Sequence, residues 1–204
     1  VSRAPALFAG LPLGYFGAGI VDPPWHFGTW SDKGRGKCAD RHYDCLSLTE
    51  IEALPVGELF RRDAAIALWF PQHVSHLAPE VMRAWGFAPR TQGAWAKQSS
   101  TGRRWHFGNG KILRCAAEFY LIGVRGHPPV RSHGVRNLIV APVRAHSHKP
   151  DQLHADMEQL FDGPHLELFA RRHRPGWTCW GNQLEPLSVK EEDHDVAVQT
   201  IAAE

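Results

Sequence analysis

Gly17-Ala18-Gly19-Ile20-Val21 runs without a polar side chain into Asp22-Pro23-Pro24-Trp25. A short apolar run of this kind reads as a buried strand, and two consecutive prolines cannot continue it. The four residues therefore sit where a strand of an α/β sheet stops, the edge at which open sheets of that class bind ligands. The bend holds an extended backbone at low entropy. It presents a carboxylate, one or two carbonyls free of ladder duties and an indole face. Such a set suits a planar ring with an exocyclic amino group. Asp22 and the Pro23 carbonyl can each accept one amino hydrogen while Trp25 stacks on the ring. Drawing both hydrogens away from the ring plane exposes the nitrogen lone pair to an electrophile. The competing reading is a plain proline turn with an acid before it and a core tryptophan after it.

The rest of the chain favours the chemical reading. Its 204 residues suffice for one domain with a full core. The expected division is 1–184 for that domain and 185–204 for an acidic, flexible tail. No apolar stretch approaches a membrane span and nothing at the start reads as a signal peptide, so the expectation is a cytoplasmic protein. Cys38, Cys45, Cys115 and Cys179 are scattered, as reduced thiols would be. Cys38, His42 and Cys45 lack a fourth ligand at suitable spacing, and His146 with His148 does no better, so no metal is expected. Charge is distributed unevenly. Residues 81–150 carry twelve Lys and Arg against Glu118 alone, whereas residues 151–204 carry four against eleven acids. A middle third so basic is the footprint of a polyanion, and nucleic acid is the expected partner.

In chain order, residues 6–9 read as a short strand or helix. Residues 26–42 are rich in Gly and charge, with Lys33, Arg35 and Lys37 beside the Asp-Pro-Pro-Trp element, and read as a loop. A long loop in that place is a gate for substrate or a surface insertion. Ser47 starts a short helix. Residues 63–70 form an apolar strand, and Val74, Leu77, Val81 and Trp85 fall at helical spacing with Gly86 as the stop. Strands follow at 88–97, 118–124 and 137–141. Between the first two lies a second basic loop, 99–114, containing Arg103, Arg104 and Lys111. With Lys33, Arg35 and Lys37, these make the candidate nucleic-acid contacts. Pro150 suits the first position of a helix whose buried stripe is Leu153, Met157, Leu160 and Phe161. Strands at 165–170 and 176–183 close the sheet.

There is no Gly-x-Gly-x-x-Gly after a strand, so nothing in the residues themselves supports a dinucleotide or P-loop nucleotide. A resemblance supplies what the pattern does not. Asp22-Pro23-Pro24-Trp25 after an apolar strand looks like the catalytic motif of amino-methyltransferases that make N6-methyladenine. More narrowly, residues 17–184 resemble the family typified by the seventy-kilodalton, S-adenosylmethionine-binding subunit of mRNA adenosine methyltransferase, in the form of its bacterial and phage members. His148-Lys149-Pro150, Glu167-Leu168-Phe169-Ala170-Arg171, Gly176-Trp177 and Gly181-Asn182-Gln183 are similar to its second signature.

The resemblance implies a three-layer α/β/α Rossmann-like methyltransferase fold, permuted so that the catalytic motif precedes the cofactor strand. It implies S-adenosylmethionine as cofactor. Lys149 would hold its methionine carboxylate, Arg171 and His173 would lie by the ribose, and Asn182 and Gln183 would bind ribose and adenine, with Leu168 and Phe169 in the same signature. Tyr43 stands where the family commonly has a tyrosine near the target base, although it could equally be a core aromatic. Two departures stand out. Residues 1–16 contain no acid of the kind that often contacts the cofactor adenine upstream, and Arg174 replaces an Asn. The expected reaction is methyl transfer to N6 of adenine in nucleic acid, in DNA rather than RNA, with the base unstacked to reach the site. A homodimer, or a heterodimer with a related subunit, stays open. The rival is a non-catalytic nucleic-acid-binding subunit, but such relatives tend to lose the residues retained here.

Overall fold

The computed structural model describes residues 6–25, 45–110, 112–144, 148–182 and 184. Tyr43, Lys33, Arg35, Lys37, Lys111, Gln183, the 26–42 loop and the tail beyond 184 lie outside the described residues.

Seven strands form one mixed sheet: β1 (Phe16–Val21), β2 (Phe60–Phe70), β3 (Ala88–Gln98), β4 (Ala117–Arg125), β5 (Leu138–Pro142), β6 (His165–Leu168) and β7 (Trp177–Trp180). Their spatial order is β5-β3-β4-β2-β1-β6-β7. β1 pairs in parallel with β2 and β6, and β6 in parallel with β7. β4 alone runs antiparallel, between β2 and β3, and β5 lies parallel to β3. The carboxyl ends of the six parallel strands therefore share one edge, and β4 starts from that same edge. Asp22, Lys97 and the start of β4 at Ala117 and Glu118 are brought together by this topology alone.

Burial explains the strand sequences. β1 is buried at every residue, as its unbroken apolar run requires. A Cβ on Gly19 would stand 2.7 Å from both the Leu166 carbonyl oxygen and the Phe60 ring, so only glycine lets those neighbours close on β1. β2 divides its side chains by period two. Ala64, Ile66, Leu68 and Phe70 face one layer, where α1 (Leu48–Glu52), α2 (Val56–Leu59) and α3 (Ala78–Ala84) bring Ile51, Val56, Val81 and Met82. Ala65, Ala67 and Trp69 face the other, where α4 (Gln152–Leu160) brings Leu153 and Met157 together with Phe161. The result is a three-layer α/β/α, Rossmann-like fold. No helix among the described residues is long and apolar enough to cross a membrane.

Helix ends follow local chemistry. Ser47 and Glu50 form a reciprocal capping box that starts α1. The spacing of Val74, Leu77, Val81 and Trp85 suggests one helix, yet Gln72–Val74 is a separate 3-10 turn and α3 begins only at Ala78. Pro79 in its first turn is the reason: proline has no N–H to donate back and is accommodated only at a helix start. Gly86 follows α3 with φ +81, the left-handed conformation that glycine adopts without strain. α4 starts at Gln152, two residues later than Pro150 indicates; Asp151 is its N-cap residue, but the carboxylate goes to Arg144, Arg172 and Arg174 instead of to the helix's free N–H groups.

Candidate active site

At the end of β1 the ladder closes with the Asp22 N–H donating to the Leu168 carbonyl at 3.4 Å. The bend then folds on itself. The Trp25 N–H donates to the Pro23 carbonyl at 2.9 Å, and the Leu46 N–H donates to the Pro24 carbonyl at 2.9 Å. The Trp25 indole N–H donates to the Trp69 carbonyl at 2.9 Å, and the residue is only 4% exposed within the core on the α1–α3 side. This corrects the expectation that Trp25 offers its face to a substrate ring. The indole is a peg that fixes the proline bend to β2, as the competing reading of the motif has it, while Asp22 keeps the chemical role open to it.

Beside Asp22 lies a row of alternating charge. Asp22 Oδ2 accepts from Lys149 Nζ at 2.8 Å. The same ammonium stands 3.0 Å from Glu118 Oε1, and Glu118 Oε2 is 2.6 Å from Lys97 Nζ. Lys149 and Glu118 each keep only 13% of their side-chain surface exposed, so the pairs are largely desolvated and their Coulomb attraction is little screened. Burial raises the Asp22 carboxyl above its ordinary range; Lys149 opposes the rise and Glu118 adds to it. Burial would raise Glu118 too, but the ammonium groups of Lys149 and Lys97 outweigh it and hold that carboxyl low. Burial works against the Lys149 cation, yet its two carboxylates hold the ammonium above the usual lysine value. Among the described residues, two of the three N–H donors of Lys149 are used in this way.

Asp22 and Lys149 open into a cleft that also takes in Phe169 and Arg171, just past the end of β6. Phe169 has φ +63, a conformation that side chains rarely adopt and that turns the chain sharply out of the sheet. His154 and Glu167 meet at 2.9 Å along the cleft, with His154 buried on α4. Arg172 and Arg174 line it too, both anchored on Asp151. The Asn-to-Arg departure at 174 thus has a local reason: Arg174 ties the turn after β6 to the start of α4. The donor set suits an amino-acid-bearing nucleoside: cations for a carboxylate, Glu167 as acceptor for hydroxyls and an aromatic ring for a base.

The other signature residues are placed differently. Leu168 is fully buried, and its carbonyl serves Asp22, so its side chain cannot touch a ligand. His173 and Asn182 are exposed and do not line the cleft. Arg103 and Arg104 are exposed beyond the end of β3, on the same sheet edge. Sequence reasoning missed Glu118 and Glu167 as site residues. A signal for Glu118 existed, since it is the sole acid in residues 81–150. An isolated acid in a basic segment is the natural partner for buried cations.

The MT-A70 family matches residues 16–183. The N(6)-adenosine-methyltransferase MT-A70-like protein of Drosophila melanogaster is 31% identical over 191 residues, covering 89% of this chain and 29% of that protein. The N(6)-adenosine-methyltransferase catalytic subunit METTL3 of Homo sapiens is also 31% identical over 191 residues, covering 89% of this chain and 30% of that protein. The N(6)-adenine-specific methyltransferase METTL4 of Homo sapiens is 26% identical over 198 residues, covering 89% of this chain and 39% of that protein. The chain thus spans 24% to 39% of the length of these and similar curated relatives. With the family match reaching from the first strand to the turn after the last, the chain belongs to the MT-A70 family.

Proposed function

We propose that this chain transfers a methyl group from S-adenosylmethionine to N6 of adenine in nucleic acid, with DNA preferred over RNA. One observation carries the reading: the Asp22 carboxylate at the end of β1 opens into the cleft that holds Lys149, Phe169 and Arg171. A hydrogen-bond acceptor for an amine and a cationic, aromatic seat for a cofactor therefore meet at one point. When bound, S-adenosylmethionine supplies a methyl on a sulfonium, already a strong electrophile.

The protein's own part is orientation and polarisation. Asp22 accepts an amino hydrogen of the target base, and its companion is the second lone pair of the Pro23 carbonyl, whose first accepts from the Trp25 N–H. Trp25 keeps that bend rigid through Trp69. Tyr43 is assigned to the target base on the family resemblance alone. The remaining N–H of Lys149 would hold the methionine carboxylate and Arg171 the ribose side, while His173, Asn182 and Gln183 are assigned to ribose and adenine on the family resemblance alone. Arg103, Arg104, Lys111, Lys33, Arg35 and Lys37 take the phosphates. Relative to the common methyltransferase order the chain is permuted, with the catalytic strand first. The names of the relatives support adenine N6 as the acceptor.

Mass spectrometry of nucleosides from DNA and from RNA incubated with protein and S-adenosylmethionine tests the reading. N6-methyladenine formed more in DNA, and lost in Asp22→Ala, is the expected result. Methylation confined to RNA would reverse the preference, and labelled cofactor that fails to bind would end the proposal.

A further inference from the structure

The basic loop after β3 carries more than charge. Its residues 99–106 fold back on the end of β3: the Ser99 N–H donates to the Arg104 carbonyl at 2.7 Å and the His106 N–H to the Lys97 carbonyl at 2.8 Å. Lys97 is the outer member of the charge row that begins at Asp22, so this loop adjoins the catalytic edge. Two large rings stand on it in the open. Trp105 is 64% exposed and Phe107 77% exposed. The Arg114 guanidinium lies 5.2 Å from the centre of the Phe107 ring, and Arg103 and Arg104 are exposed beside Trp105. No acid occurs in residues 81–117.

Exposed aromatic rings are costly to leave in water, and a fold with a full core has no folding reason to place two of them on one hairpin. Rings interleaved with arginines are the arrangement that binds single-stranded nucleic acid, whose unpaired bases stack on the rings while the cations follow the phosphates. An intact duplex offers such rings no free base face, because its bases are already stacked and unstacking a step costs free energy. We propose that Trp105 and Phe107 form a stacking platform for unpaired bases flanking the target adenine, with Arg103, Arg104 and Arg114 on the adjoining phosphates. The substrate class is therefore single-stranded or locally opened nucleic acid. This inference rests on the proposed nucleic-acid substrate. The competing occupant of the surface is a second copy of this chain, since Ile112 and Leu113 are exposed in the same loop.

Fluorescence anisotropy with a short labelled single strand, without methyl donor, separates this proposal from the catalytic one. Trp105→Ala and Phe107→Ala should each weaken binding roughly tenfold, whereas Trp105→Phe and Phe107→Tyr should recover most of it. The corresponding duplex should bind with an affinity indifferent to either ring. Both side chains are exposed, so thermal unfolding should not change, which excludes a folding defect as the cause. Unchanged single-strand affinity in both alanine variants would overturn the proposal, and so would equal losses on duplex. Sedimentation supplies the remaining arm. A dimer that the alanine variants convert to monomer, at unaltered nucleic-acid affinity, would assign the surface to a second copy instead. Binding that behaves as proposed in a protein without methyl transfer would remove the catalytic reading and leave the platform standing.

Discussion

The charge row behind Asp22 and the loop beyond β3 lie on the same sheet edge and use charge in opposite ways. In the row, two lysines and two acids alternate at 2.6 to 3.0 Å with most of their surface withdrawn from water. Each charge there is fixed by its neighbours, and water need not reorganise when a substrate arrives. In the loop, Arg103 and Arg104 are exposed and surrounded by like charge. Their attraction for a polyanion is screened by salt and tolerant of position. On the proposed function, the first region would fix the reacting group, and the second would gather the polymer and leave alignment to the first.

The sharpest break in this comparison comes from Asp22→Ala. If the row exists to present that carboxylate, turnover should fall roughly a hundredfold or more, as when one preorganised polar contact to a transition state is removed. Affinity for S-adenosylmethionine should stay within a few fold, because the proposed partner of Asp22 is the target amine and not the cofactor. Single-turnover kinetics beside calorimetry separate the two quantities. A variant keeping more than a tenth of wild-type turnover would show that Asp22 is not the polarising group.

Lys149→Ala comes next. Removing one partner of a buried pair typically costs about 3–5 kcal/mol, because the other charge stays behind unpaired. Here two carboxylates would face each other. Denaturant unfolding should show a loss of about 3 kcal/mol at neutral pH, and cofactor affinity should fall about tenfold or more. Without the ammonium both carboxyls would titrate higher in the fold than in the unfolded chain. The stability deficit should therefore shrink as pH falls and they take up protons. A deficit independent of pH would mean that lost packing of the lysine stem, not charge, is responsible.

How much of this was open to sequence reasoning depends on the range of the interaction. The strand before Asp22, the capping box at Ser47 and the stop at Gly86 follow from local patterns, and the structure has them. The Asp-Pro-Pro-Trp motif stands out in the sequence, and its Asp22 lines the cleft past the end of β6. The fate of Trp25 did not follow, because a tryptophan after a bend can face solvent or core, and only the position of the Trp69 carbonyl on β2 decides. Glu118 and Lys149 are far apart in sequence and meet because β4 runs antiparallel from the edge where α4 begins. Composition marked the acid as unusual but could not say which cation it faces. The gathering of Arg144, Arg172 and Arg174 on Asp151 has the same origin, since the three come from two separate segments.

Glu118→Gln probes the row more gently. Glu118 raises the Asp22 carboxyl, so its neutral replacement should lower that value and move the acid limb of kcat/KM to lower pH. Stability gives an independent sign. A carboxyl held below its unfolded value contributes stability that is fully present above about pH 4.5 and lost as pH falls through the depressed value. Wild type and variant should differ at neutral pH and converge in acid. An acid limb that moves upward would mean that a group other than Asp22 sets it.

The smallest effect belongs to the loop, and it shows which kind of charge is being used. Arg103→Ala with Arg104→Ala should leave cofactor affinity and thermal stability unchanged, since neither exposed side chain joins the row. Nucleic-acid affinity should fall moderately at low salt and hardly at all at high salt. The reason is counterion release: each neutralised phosphate frees condensed cations, and log affinity falls against log salt by about 0.9 per contact on duplex and about 0.7 on single strands. Losing two contacts should flatten the slope by roughly 1.4 on single strands and 1.8 on duplex. Turnover at saturating nucleic acid should survive, because alignment of the base rests on Asp22 and the rigid proline bend. A double variant with the wild-type slope would make these arginines an ordinary solvated surface. Lost turnover at saturation would instead place them in the alignment of substrate, and the division of labour between the two regions would fail.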